Sequence, residues 1–358
     1  MFVAWRDLRF AKGRFALMGT VVVLITVLVG LLSGLTAGLG RQNVSAITGL
    51  PADHLAFAVP ADGQRLSFTD SQVTPEQWQG WARAPGVTAA QPLGITTTKA
   101  AAGQRTTALS AFGVPDGSPL APRGEAVGPG RAVLSQAAAE ELGGLRPGAA
   151  FTLAGRPLQV AAVAGDASFS HTPVVWTSLT DWQAVAPGGA GHATVIALTT
   201  APGADLGTAD TRYGTETRSR ADALAAIGSY TSENGSLQLM RGFLFAISAL
   251  VIGAFFTVWT IQRSGDVAVL KALGASTRYL LTDALGQAVL LLVLGTAAGT
   301  AIAVGAGTLL GSAVPFVLDA PTVLVPAVVM IALGAVGAAL SIRRITSVDP
   351  LTALGSAR

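Results

Sequence analysis

Two short segments carry side chains whose types and spacing could do work. In Gly228 to Gly242, Tyr230, Glu233, Leu237, Met240 and Arg241 recur at steps of three and four. A helix beginning near Tyr230 therefore sets them on roughly one stripe. An ionisable group where a chain enters a membrane is costly and is a functional candidate by default. The bland alternative is that Glu233 caps or solvates a helix end, Met240 is ordinary packing, and Arg241 snorkels to headgroups. In Arg263 to Ser276, Val267, Leu270, Leu273 and Gly274 share one helical face. Asp266 is placed to meet the N-terminal dipole and Lys271 faces elsewhere, which predicts a short amphipathic helix lying against a partner or on lipid.

Familiar catalytic patterns are missing elsewhere in the sequence. His54, His171 and His192 lie far apart with no second ligand at metal spacing, and no serine sits in a G-x-S-x-G elbow. Glu140 and Glu141 are neighbours on a helix and so point to different faces. There is no cysteine, which removes disulfides, thiolate metal sites and a thiol nucleophile. A phosphate-binding P-loop needs Gly-Lys-Ser or Gly-Lys-Thr. Lys12, Lys99 and Lys271 follow Ala, Thr and Leu instead. The chain has no Walker motif, and no catalytic residue is assigned.

The elements that must position these residues follow from composition. Of 358 residues, 51% are hydrophobic and 12% charged, with a mean hydropathy of +0.55. Soluble domains carry about 25% charge. An all-soluble enzyme and a disordered scaffold are both excluded. The net charge of +3 suggests no nucleic-acid partner, because no basic run interleaves with aromatics. No charge occurs from Phe15 to Gly40, longer than the roughly 20 residues a bilayer core requires. Further apolar runs cover Gly242 to Gln262, Ala284 to Leu318 with a break near Gly311 to Pro315, and Pro321 to Ile342.

The predicted fold class is membrane α-helical, with four transmembrane helices and a mixed α/β extracytoplasmic domain inserted between helices 1 and 2. Residues 1–14 form an amphipathic helix, basic through Arg6, Arg9, Lys12 and Arg14, suited to lying on membrane lipid. The spans are 15–40, 239–262, 284–311 and 321–342. The inserted domain is 41–238, the loop after helix 2 is 263–283, the outer loop is 312–320, and the tail is 343–358. Lys and Arg cluster in the N-terminal stretch, in the 263–283 loop and in the tail, so both termini and that loop are cytoplasmic. The large domain then lies outside a bacterial cell membrane. Within it, strands are expected at His54–Val59, Thr107–Phe112, Phe151–Leu153, Leu158–Val163, Val174–Trp176 and Thr194–Leu198. Helices are expected after Thr74-Pro75-Glu76-Gln77, a capping box, and after Ser135 up to Gly143.

The segment Arg263 to Ser276, with its Lys-Ala-Leu-Gly-Ala-Ser ending, closely resembles the coupling loop of four-helix permeases of the FtsX and MacB type, partners of ATP-binding cassette ATPases. Asp266 stands where Glu is commoner in that family. The tail Asp349-Pro350-Leu-Thr-Ala-Leu354 is similar to the family's ending, and the order of helix, large outer domain and three helices matches over nearly the whole length. The resemblance implies that Arg263, Asp266, Val267, Leu270, Lys271, Leu273 and Gly274 dock on a separate ATPase, present in two copies, which binds ATP and Mg. It also implies a permease subunit without its own cofactor, working as a homodimer. Helices 1 and 2 of each copy are expected to face one another through Gly30, Gly34 and Gly38, whose spacing allows close approach.

The Tyr230 to Arg241 stretch and the single outer domain are similar to HrtB-type haem-exporting permeases. That resemblance implies efflux of a lipophilic substrate, haem first, from the outer half of the dimer interface. Glu233 or Met240 would ligate the iron, with Tyr230 nearby and Arg241 on a propionate. The alternative is a MacB- or FtsX-like transmitter that couples ATP hydrolysis to an outer protein partner, or to export of peptide, lipid or drug.

Overall fold

The computed structural model describes residues 12–262, 265, 269, 273–310 and 314–346. They divide into two compact units, one of residues up to Gly38 and from Ser236 onward, the other running from Leu39 to Gly235. In chain order the elements are α1 (Lys12–Thr48), β1 (His54–Ala58), α2 (Pro75–Trp81), β2 (Val87–Ala102), β3 (Arg105–Val114), β4 (Arg131–Leu134), α3 (Gln136–Glu141), β5 (Ala150–Leu153), β6 (Arg156–Val163), β7 (Ser168–Phe169), β8 (Thr172–Ser178), α4 (Leu179–Gln183), β9 (Val195–Thr200), α5 (Leu206–Tyr213), β10 (Thr215–Ser219), α6 (Tyr230–Gln262), α7 (Thr277–Leu310) and α8 (Ala320–Thr346).

The inserted unit is built on β2. Its first half pairs antiparallel with β9, which continues through β1 to β10. Its second half pairs with β3, and the order runs on through β8, β4, β6 and β5. Pairing of Ala100 with Leu153 and of Ala101 with Thr152 returns β5 to β2 and closes the ring. Trp182 of α4 fills the interior over two facing glycines, Gly94 and Gly113. A Cβ on either would come within 2.3 Å of the tryptophan. Capping works as the residue types predict: the Gln77 side chain accepts from the Thr74 N–H at 2.8 Å, and Ser135 accepts from the Ala138 N–H.

The unit's largest core joins Phe57, Phe68, Phe112 and Phe169, with edge-to-face rings 4.9 to 5.7 Å apart. Ile47, in the last turn of α1, and Leu50, just past it, are buried in that core, and Tyr230, the first residue of α6, packs on it. Burying an Ile or Leu side chain stabilises by about 1.5–3 kcal/mol. The last turns of α1 and the start of α6 are thus parts of the outer fold as well as of long helices.

In the other unit, α1, α6, α7 and α8 each contain a stretch long and apolar enough to cross a membrane. Small residues set their contacts. Gly295 and Gly299 of α7 meet Val22 and Thr26 of α1, Gly334 of α8 meets Leu292 of α7, and Gly337 of α8 lies against Gly253 of α6. The Thr257 and Ser341 hydroxyls are 2.9 Å apart between α6 and α8. The stripe of Gly30, Gly34 and Gly38, expected against a second copy, is instead covered within the chain. A Cβ at Gly30 would meet Ala303, at Gly34 the ring of Phe316, and at Gly38 the carbonyl of Pro315. The Val317 N–H donates to the Gly34 carbonyl at 3.2 Å. Four-residue spacing of glycine does permit close approach, but the loop before α8 uses it.

Candidate functional site

Helix α6 begins at Tyr230, and Glu233 lies in its first turn. The Glu233 carboxylate is gathered by groups from distant parts of the outer unit. Asn43 Nδ2 of α1 donates to Glu233 Oε2 at 2.8 Å, and His171 Nε2 lies 2.8 Å from the same oxygen. With a carboxylate as acceptor, the imidazole carries its proton on Nε2. Asn43 is only 2% exposed, and its Oδ1 has no hydrogen-bond partner among the described residues. The His171 and Glu233 side chains remain 35% and 40% exposed. The cluster therefore has one buried wall and one open side.

His171 reaches this place by an unusual turn. Phe169 of β7 pairs with Thr172 of β8, leaving a two-residue loop, Ser170-His171, with φ of 49° and 63°. Such loops need both residues in the left-handed region and favour Asn-Gly. For residues other than glycine that region costs about 1–2 kcal/mol each. An exposed ion pair returns only about 0–1 kcal/mol, so the His171–Glu233 contact does not offset the turn. What holds the turn is α1. The Ser170 and His171 N–H groups donate to the Asn43 and Gln42 carbonyls at 2.9 and 3.2 Å, and the Ser168 N–H donates to Ser45 Oγ at 2.8 Å. Phe169 anchors the hairpin in the aromatic core.

The other residues expected at this site are placed differently. Tyr230 packs on the outer core. Met240 is 47% exposed, next to exposed Leu239 and Phe243. The Arg241 guanidinium lies 5.8 Å from the centre of the Phe245 ring, a cation–π distance. A pocket lined by Val29, Gly30, Phe316, Val323 and Pro326 includes neither Met240 nor Arg241. No group of three or more metal-ligating side chains occurs among the described residues. Of the docking residues, Arg263, Asp266, Val267, Leu270 and Lys271 lie outside the described residues. Leu273 is 79% exposed, its N–H donating to the Val269 carbonyl at 3.0 Å, and Gly274 follows with φ of +93°, as a helix end favours.

Sequence spacing could not reveal His171, because it stands 62 positions before Glu233. Its signal is conformational, a histidine where a two-residue hairpin favours glycine. The other two histidines have ordinary settings: His192 stacks edge-on against Trp182, and His54 lies 3.4 Å from the Thr200 hydroxyl.

Four helices long and apolar enough to cross a membrane, with a large α/β unit inserted between the first and the second, are the architecture of a membrane protein. Residues 15–213 match the MacB-like periplasmic core domain and residues 239–350 the FtsX-like permease C-terminal region. The chain belongs to this family, the MacB/FtsX-type permeases of ABC transporters. It is 26% identical over 365 residues to a Staphylococcus haemolyticus protein named hemin transport system permease protein HrtB, with 99% of each chain covered. It is 25% identical over 363 residues to an uncharacterised ABC transporter permease of Mycobacterium bovis, again with 99% of each covered. Among solved structures, the periplasmic region of MacB from Actinobacillus actinomycetemcomitans aligns with a TM-score of 0.38 at 11% identity, covering 49% of this chain and 92% of that one. The extracellular domain of the Gram-positive transporter YknZ aligns with a TM-score of 0.35 at 15% identity, covering 47% and 98%.

Proposed function

We propose that the chain is the permease of an ATP-driven efflux pump that expels haem, working as a homodimer with two copies of a separate ATPase. The observation that carries this reading is the end-to-end match to permeases named for hemin transport. The chemistry of the α6 entry is compatible with it. Glu233 supplies an oxygen donor, Met240 a thioether on an exposed apolar face, and Arg241 a cation suited to a propionate. The 263 to 276 segment docks on the ATPase, which binds ATP and Mg, and both termini lie on the cytoplasmic side. Closure of the ATPases drives haem out from the outer half of the dimer interface.

The test is reconstitution of permease and ATPase in lipid vesicles. Haem-stimulated ATP hydrolysis with ATP-dependent haem movement supports the proposal. ATP hydrolysis indifferent to haem contradicts it. The second reading, a force transmitter acting on an outer protein partner, is favoured by one feature: the end of α1 and the start of α6 are built into the core of the outer unit through Ile47, Leu50 and Tyr230. Helix movement would then be passed directly to that unit.

A further inference from the structure

We infer that His171 is a positioning residue for Glu233: the hairpin between β7 and β8, gripped by one helix, presents an imidazole that aims the carboxylate of the other toward substrate. This rests on the reading of Glu233 as a substrate-facing group.

Three observations converge on it. The first is the grip. Three positions within one turn of α1 take part, Gln42 and Asn43 through backbone carbonyls and Ser45 through its hydroxyl, which contacts both the N–H and the carbonyl of Ser168. The hairpin is therefore held in register with α1. The second is the backbone. Ser170 and His171 both occupy the left-handed region, where residues other than glycine persist only if their surroundings over-determine them, and such outliers cluster at ligand sites. Glycine at 171 would make the turn more easily, so what histidine adds there is its ring. The third is the buried amide. Asn43 approaches the same carboxylate oxygen as His171 while its own Oδ1 has no partner among the described residues. Two donors on Oε2, one of them from a buried side chain, fix the direction of a carboxylate that is otherwise open on one side.

Partners that orient a ligating side chain are worth about 10- to 100-fold in affinity at metal centres. They act by fixing the ligand's direction and proton, without touching the metal. The consequence is that haem affinity depends on a residue of the outer domain that does not itself bind haem.

The experiment titrates haem into the purified full-length permease and compares five chains: wild type, His171→Gly, His171→Gln, Glu233→Gln and the double variant that joins His171→Gly to Glu233→Gln. His171→Gly removes the ring while easing the left-handed backbone, so its thermal stability is expected to equal or exceed that of wild type. Its haem affinity is expected to fall about tenfold, with a displaced Soret maximum. His171→Gln carries an amide nitrogen close to the position of Nε2 and is expected to recover most of that loss. Adding His171→Gly to Glu233→Gln is expected to cost nothing further, because the ring acts only through the carboxylate. Unchanged haem affinity and spectrum in His171→Gly, beside a weakened Glu233→Gln, overturns the inference and leaves the haem reading standing. A further loss in the double variant also overturns it, since His171 would then act independently. A wild-type chain without a saturable Soret change overturns the haem reading and this inference with it, and is recognised before any variant is made.

Discussion

At the residue scale, Glu233 and Met240 are the two side chains through which the proposed haem site is most directly tested, and they stand in different surroundings. Glu233 is tied to Asn43 and His171, whereas Met240 belongs to an exposed apolar stripe with Leu239, Phe243 and Ile247. A thioether free of intramolecular ties can approach iron without breaking a bond. A carboxylate held by Asn43 and His171 would, on the inference above, be aimed beforehand. Met240→Ala is expected to shift the Soret maximum of bound haem while leaving the fold intact, because the side chain is half exposed and lies outside the helical unit's buried core. An unchanged spectrum would remove Met240 as a ligand. Glu233 was legible in the sequence, since a carboxylate at the start of an apolar helix is a local signal. Its partners Asn43 and His171 were not, because their proximity arises from a hairpin docking on α1, and nothing in the spacing of the chain encodes that.

At the element scale, the outer domain depends on β2, a strand that serves two sheets. It runs Val-Thr-Ala-Ala-Gln-Pro-Leu-Gly-Ile-Thr-Thr-Thr-Lys-Ala-Ala-Ala, and its many small residues, with an internal proline and glycine, hide it from any alternation of apolar and polar side chains. The glycine has a structural purpose. Gly94 faces Gly113 of β3, and Trp182 fits into the space between them. Gly113→Ala is expected to destabilise the full-length protein by about 1–3 kcal/mol, the usual cost of overpacking a filled core. A thermal melt of the variant in detergent measures this, and an unchanged midpoint would contradict the packing account. The six strands expected from the sequence all overlap observed strands, because each combines apolar residues with flanking turn signals. The glycine stripe of α1 was read correctly as a surface for close approach but matched with the wrong neighbour. Spacing reports that something comes near, and only packing shows that Phe316 and Pro315 do.

At the scale of the whole molecule, the proposed function requires that movement pass between the proposed docking loop and the proposed substrate group at the start of α6. Within the outer unit, Ile47 and Leu50 are buried in the aromatic core and Tyr230, the first residue of α6, packs on it. Leu270→Asp places a charge on the proposed docking face, and it is expected to abolish ATPase association while leaving haem titration of the permease unchanged. Retained haem-stimulated ATP hydrolysis in that variant would contradict the assignment of the 263 to 276 segment. The central claim is that this family member moves haem. Its most direct test is an absorption titration of the purified permease and ATPase complex with haem, in wild type and in Glu233→Gln. The account predicts a saturable Soret shift at one haem per permease dimer that is weakened in Glu233→Gln. A linear, unsaturable absorbance with no difference between the two proteins would contradict it, and would favour force transmission to an outer partner by the same fold.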